Sequence, residues 1–226
     1  MRPKNLLRSR LTARTLKLHL MLCSSLCAPL AFAQTVSTET TTPLETATAN
    51  NGAPADITVT EDGSIELGGT EGQVAVTMNS DNSITNNGEI RIDDTDNVTG
   101  IALDADRMGD LTMAGSIDLV EDYDRTDDDD DDDLDGPLAV GENRIGIHLL
   151  NGGTHTGDID LQTGSRLTIE GNESAAVLLE SALAGAFTLD GLVSVTGEDS
   201  VGIEIDNGVT DDVLISANVT VRGANA

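Results

Sequence analysis

The chain is poor in the residues that most often build cores, bridges and basic surfaces. Its 226 residues include no Trp, and Phe32, Tyr123 and Phe187 are its only aromatic residues. Both Cys (Cys23, Cys27) and both Lys (Lys4, Lys17) fall within the first 33 residues. Beyond Ala33 there is therefore no thiol for a disulfide or a thiolate metal site, and no amine for lysine chemistry. Two rings also cannot make an aromatic platform for stacking sugars. Acids outnumber bases by 40 to 12, and six of the bases precede Ala33. Residues 34–226, 193 in number (226 − 33), carry a formal charge of −34 (6 − 40). Phosphate contacts need Lys and Arg, so a nucleic-acid partner is excluded.

The first 33 residues have a separate logic. Arg2, Lys4, Arg8, Arg10, Arg14 and Lys17 precede a 16-residue apolar run (33 − 17) that closes on Ala31-Phe32-Ala33. A basic region, a short apolar region and a small-x-small ending make a secretory signal peptide, read as cleaved after Ala33. The run is short for a membrane span. Neither Cys follows a small residue, which argues against a lipid anchor.

Residues 34–55, rich in Thr and Ala and broken by Pro43 and Pro54, show no apolar period and read as a linker. From residue 56 to 226 the pattern changes to short apolar-x-apolar triplets bounded by Gly, Asn and Asp. Val74-Ala75-Val76, Ile101-Ala102-Leu103, Ile147-His148-Leu149, Val177-Leu178-Leu179 and Ile203-Glu204-Ile205 open successive units. In four of the five units, second and third triplets start ten and 16 residues later: Ile84 and Ile90, Leu111 and Ile117, Phe187 and Val193, Val213 and Val219. The remaining unit, with Ile159 and Leu167, has four extra residues in its turns. A period of about 26 residues with insertions accounts for the spacing. In a strand, first and third residues share one face. Of 30 such inward positions, all but Asn86 are apolar, while 11 of the 15 middle positions are polar or charged. The expected fold is all-β, a parallel β-helix (solenoid) of about five and a half coils with three short strands per coil. The crossover rule gives it a right hand.

Coil-end turns recur at Gly141-Glu142-Asn143-Arg144, Gly171-Asn172-Glu173-Ser174 and Gly197-Glu198-Asp199-Ser200. Gly223-Ala224-Asn225-Ala226 stands where the next coil would begin, so the expectation is the N-terminal part of a longer protein. The cationic leader, the Thr-rich spacer and coils such as GIALDADRMGDLTMAGSIDLVED and SVGIEIDNGVTDDVLISANVTVRG resemble autotransporter passenger domains of Gram-negative bacteria. That resemblance implies export through the inner membrane. It further implies display at the outer membrane or cell surface through a C-terminal barrel, with an unidentified surface, host or neighbour-cell ligand. No barrel-like segments occur in these residues, so membrane association would depend on that barrel. A product ending here would be periplasmic. A non-enzymatic, adhesin-like module is the leading expectation; a fragment of a polysaccharide-acting β-helix enzyme is the alternative. The latter would need a cationic cleft for an acidic sugar, and six Arg without Lys do not supply one.

One insertion interrupts the repeat, at about residues 120–143, and it holds the run Asp127 to Asp133. Asp131, Asp133, Asp135, Gly136 and Glu142 match the spacing of a calcium loop, with the Pro137 carbonyl as a further ligand. Hard Ca²⁺ takes several carboxylate oxygens and a final bidentate one, so calcium is the cofactor this pattern suggests. The competing reading is a solvated acidic loop with diffuse cation binding, because Glu142 already belongs to the coil-end turn. Ser200, in a Gly-Glu-Asp-Ser setting, has a counterpart in Ser174 and reads as a repeat turn rather than a nucleophile. His148 is expected outward and His155 in a turn; two His without Cys make weak zinc ligands.

Overall fold

The computed structural model describes residues 33–127, 129–132 and 134–226, so the leader lies outside the described residues. Every element among them is a β-strand. Triplets that open and close on an aliphatic residue can bury only one face, and the chain resolves this by stacking each triplet in parallel on its repeat partner. Three ladders result. Sheet 1 contains Gln34–Val36, Ile57–Val59, Ile84–Asn86, Leu111–Met113, Ile159–Leu161, Phe187–Leu189 and Val213–Ile215, neighbours in that order. Sheet 2 contains Glu39–Thr40, Ser64–Gly68, Glu89–Asp93, Ser116–Val120, Arg166–Glu170, Leu192–Thr196 and Asn218–Arg222. Sheet 3 contains Leu44–Glu45, Val74–Met78, Val98–Leu103, Arg144–Leu149, Ala175–Leu179 and Val201–Ile205. The parallel β-solenoid is thus all-β, with seven turns rather than five and a half.

The extra turn comes from the segment expected to be a linker. Gln34–Val36 pairs with Ile57–Val59, Glu39–Thr40 with Ser64–Ile65, and Leu44–Glu45 with Val76–Thr77. These strands are two or three residues long, and Val36 and Leu44 are their only buried aliphatics. An apolar period cannot be seen in so few positions. Thr46 fixes this turn instead: its buried hydroxyl accepts the backbone N–H groups of Asn79 and Ser80 at 3.0 and 3.1 Å.

The register of sheet 3 also differs from expectation at one strand. Val76, not Val74, stacks on Ile101, and Met78 stacks on Leu103. The residue before each inward position is small: Ala75, Gly100, Gly146, Ala176 and Gly202. It faces sheet 2, where a Cβ on Gly100 would meet Ile117 at 2.6 Å and one on Gly146 would meet Leu167 at 2.9 Å. The core is otherwise columns of Ile, Leu and Val with 0–2 % exposure, such as Ile65–Ile90–Ile117–Leu167–Val193. Each such side chain contributes roughly 1.5–3 kcal/mol by leaving water. Asn86 is buried in its column, where its Oδ1 accepts from Gly88 N and its Nδ2 donates to Ser116 O, both at 3.2 Å.

Many acids have a structural task at the corners. Asp56 Oδ1 accepts Ser83 N at 2.9 Å, Ser83 Oγ accepts Asp110 N at 3.0 Å, and Asp110 Oδ1 accepts Asp158 N at 2.9 Å. Asp158 Oδ1 then accepts Ala186 N at 2.8 Å. Each side chain thus satisfies a backbone donor of the next turn that the strand ladders leave over. The lengthened corner of the fourth unit forms a narrow ladder of its own, Thr154–Thr156 on Ala182–Ala184.

Candidate functional site

Between Val120 of sheet 2 and Arg144 of sheet 3 lies the acidic insertion. The two ends of the insertion are held together by Glu121 and Arg144. Glu121 turns its carboxylate back across the neck, accepting Val140 N at 2.9 Å and Gly141 N at 2.7 Å. Arg144 Nη1 approaches Glu121 Oε2 at 3.5 Å, with both side chains buried. The guanidinium also donates from Nε to Thr95 O at 2.9 Å and from Nη1 to Glu170 O at 2.6 Å. It therefore ties three successive turns to the base of the insertion. Asp96 completes the ring at 3.4 Å from Nη2.

Sequence reading missed Arg144 because the charge pattern treats Arg as surface. A signal was present. The residue after the left-handed corner is Val98, Arg144, Ser174 or Ser200 in successive turns, a column whose members are all buried. Asn97, Asn143, Glu173 and Asp199 supply those corners at φ of 56°, 54°, 50° and 51°. An Arg in a column of Val and Ser has to find its partners inside.

Above the neck, Asp127, Asp129 and Asp135 bring one carboxylate oxygen each within 4.8 Å of one another. Asp127 also caps a turn, accepting Asp131 N at 3.2 Å and Asp132 N at 3.1 Å. Arg125 Nε donates to Asp135 O at 3.2 Å. Of the residues matched to a calcium loop, Asp135 alone belongs to this carboxylate group. Asp131 is exposed on the capped turn, Pro137 is exposed, and Asp133 lies outside the described residues. Glu142 sits on the solenoid corner: its N–H donates to Asp96 Oδ1 at 3.0 Å and its backbone bridges to Asn172. The spacing of the motif and the grouping in space are thus two different sets.

The remaining candidates are engaged in the scaffold. Ser200 has no exposure, and its hydroxyl donates to Gly171 O at 2.9 Å while accepting Ser174 N at 3.0 Å. His148 faces outward, 2.8 Å from Glu180 Oε2. His155, expected in a turn, is a buried strand residue with Nε2 2.9 Å from Gly109 O. Its neighbour in register is Leu183, so it fills the corner as an apolar ring would. Arg91 is held by Asp93 at 2.9 Å, and that hydrogen bond raises its pKa above the ordinary arginine value. Comparison with protein-family models, with curated proteins and with solved structures yields no match.

Proposed function

We propose that the chain is an exported, non-enzymatic interaction module: a rod-like solenoid of the autotransporter-passenger type that presents one acidic loop. The observation that carries this reading is the buried Glu121–Arg144 neck, which fixes a solvated loop to an otherwise regular scaffold. Loops positioned by a rigid framework are where binding concentrates. The engagement of Ser200 and His155 inside the turns supports a structural use of those residues. The basic and apolar leader, Arg2 to Ala33, supports export. Acidity suits such a surface, since a strongly charged exterior resists association with like chains.

The test is expression of the chain in a Gram-negative host with mass spectrometry of each cell fraction. The reading predicts a periplasmic product beginning at Gln34. An unprocessed product retained in the cytoplasm would refute export. Turnover of a polysaccharide by the purified protein would refute the non-enzymatic part.

A further inference from the structure

The corner between sheets 1 and 2 is uneven, and the unevenness makes a cleft. In the second and fifth turns this corner is four residues long, Thr60 to Gly63 and Gln162 to Ser165. In the third and fourth turns it is two residues, Asn87-Gly88 and Ala114-Gly115. The long corners stand as walls about 14 Å apart, three strand spacings, over a floor made low by glycine. A Cβ on Gly88 would lie 2.1 Å from Gly63 O, and one on Gly115 would lie 2.0 Å from Gly88 O. The space is about 460 Å³ and runs across the solenoid axis, with Glu61 on one wall and Gly164 on the other. That volume lies in the range of small-ligand clefts, about 300–1,000 Å³.

Its polar groups are unspent. Among the described residues, the side chains of Glu61, Asn87, Glu89 and Ser116 make no hydrogen bond within the protein, and all four line the cleft. Arg166, from the fifth turn, is more than half exposed, and its one ionic contact is Asp118 at 3.5 Å. Two carboxylates, an amide, a hydroxyl and a guanidinium offer mixed acceptors and donors over a flat glycine floor. This set suits vicinal hydroxyl groups: carboxylates and the amide oxygen accept from them, while Arg166 and Asn87 donate. A charge of −34 over residues 34–226 opposes an anionic polymer. A cationic peptide would be drawn to acids over the whole surface, with no reason to select this trough.

We infer that this cleft binds a short stretch of a neutral, hydroxyl-rich saccharide chain, laid across the axis between the two long corners. The inference rests on the interaction-module reading and gives it a ligand class. The test uses ¹⁵N-labelled protein titrated with cellohexaose and, separately, chitohexaose to millimolar concentration, with hexalysine as the competing cationic probe. Saturable amide shifts at Gly88, Gly115 and Gly164 with a hexasaccharide are expected. Ser116→Trp should weaken binding at least tenfold by filling the trough, and Asn87→Ala should weaken it severalfold with the spectrum otherwise unchanged. No shift with either hexasaccharide, or shifts at these amides with hexalysine alone, would overturn the inference. Chromatography of the same samples separates the two claims. Cleaved saccharide would refute the non-enzymatic reading while leaving the cleft, and absent binding would remove the cleft while leaving export and display.

Discussion

Glu121 and Arg144 form a buried ion pair whose members stand at the two ends of the same insertion, with side-chain exposures of 4 % and 2 %. A charge removed from such a pair leaves its partner buried and uncompensated, which costs about 3–5 kcal/mol. Arg144→Met should therefore destabilise the protein by about 3 kcal/mol, measured by urea unfolding. It should also open the neck, so that limited proteolysis cuts the insertion faster. The double variant Glu121→Gln/Arg144→Met should recover part of the loss, because the orphaned charge is gone. Equal stability of Arg144→Met and wild type would show that the neck is not held this way.

The close stacking of short corners makes a second prediction. Gly115→Ala places a methyl group against the Gly88 carbonyl, a rigid backbone atom 2.0 Å from the ideal Cβ position. Overpacking of this kind costs about 1–3 kcal/mol and sometimes more. Thermal unfolding should show a clear fall in Tm. Gly52→Ala, where nothing lies within 4 Å of the added Cβ, serves as the comparison. A smaller fall at Gly115 than at Gly52 would contradict the described corner.

Charge gives a third. With −34 on residues 34–226, self-repulsion acts against the compact state, and mobile ions screen it over about 10 Å at 0.1 M salt. Tm should rise between 10 mM and 300 mM NaCl in calorimetric scans. A flat or falling Tm would mean that the corner carboxylates are already neutralised by the backbone N–H groups they accept.

The insertion gives a fourth. Asp127 is already committed to capping Asp131 and Asp132, and Glu142 belongs to the corner. Calcium titration followed by calorimetry should therefore give weak, non-saturating heats that vanish in 150 mM NaCl. A saturable isotherm below millimolar Ca²⁺, abolished by Asp135→Asn, would establish a specific site instead.

Columns such as Leu111–Ile159–Phe187 were legible in the sequence because inward residues repeat at a nearly fixed spacing and are all apolar. The first turn was not, since Gln34, Thr40 and Glu45 occupy strands too short and polar to show a period. Register at Val74 slipped by two residues because Val74, Ala75 and Val76 are all apolar, so pattern alone permits either choice. The small residue before each triplet, Ala75 aligned with Gly100, would have resolved it. Asn86 was visible as the lone polar inward residue, and the structure supplies its partners. Arg144 and His155 were hidden for the opposite reason. A charged or polar side chain is read as exposed unless its partners are known, and those partners come from turns 26 to 51 residues away. The cleft depends on corner lengths in four separate turns, which no single motif contains.

The central claim is that Gln34 to Ala226 form one continuous solenoid carrying a loop fixed at its neck. Hydrogen–deuterium exchange by mass spectrometry tests it most directly. Slow exchange is expected in strands of all seven turns, Gln34–Val36 and Leu44–Glu45 included, with fast exchange confined to the corners and to residues 122–138. Immediate exchange across residues 34–45, or protection of the acidic run equal to that of Ile147–Leu149, would contradict it.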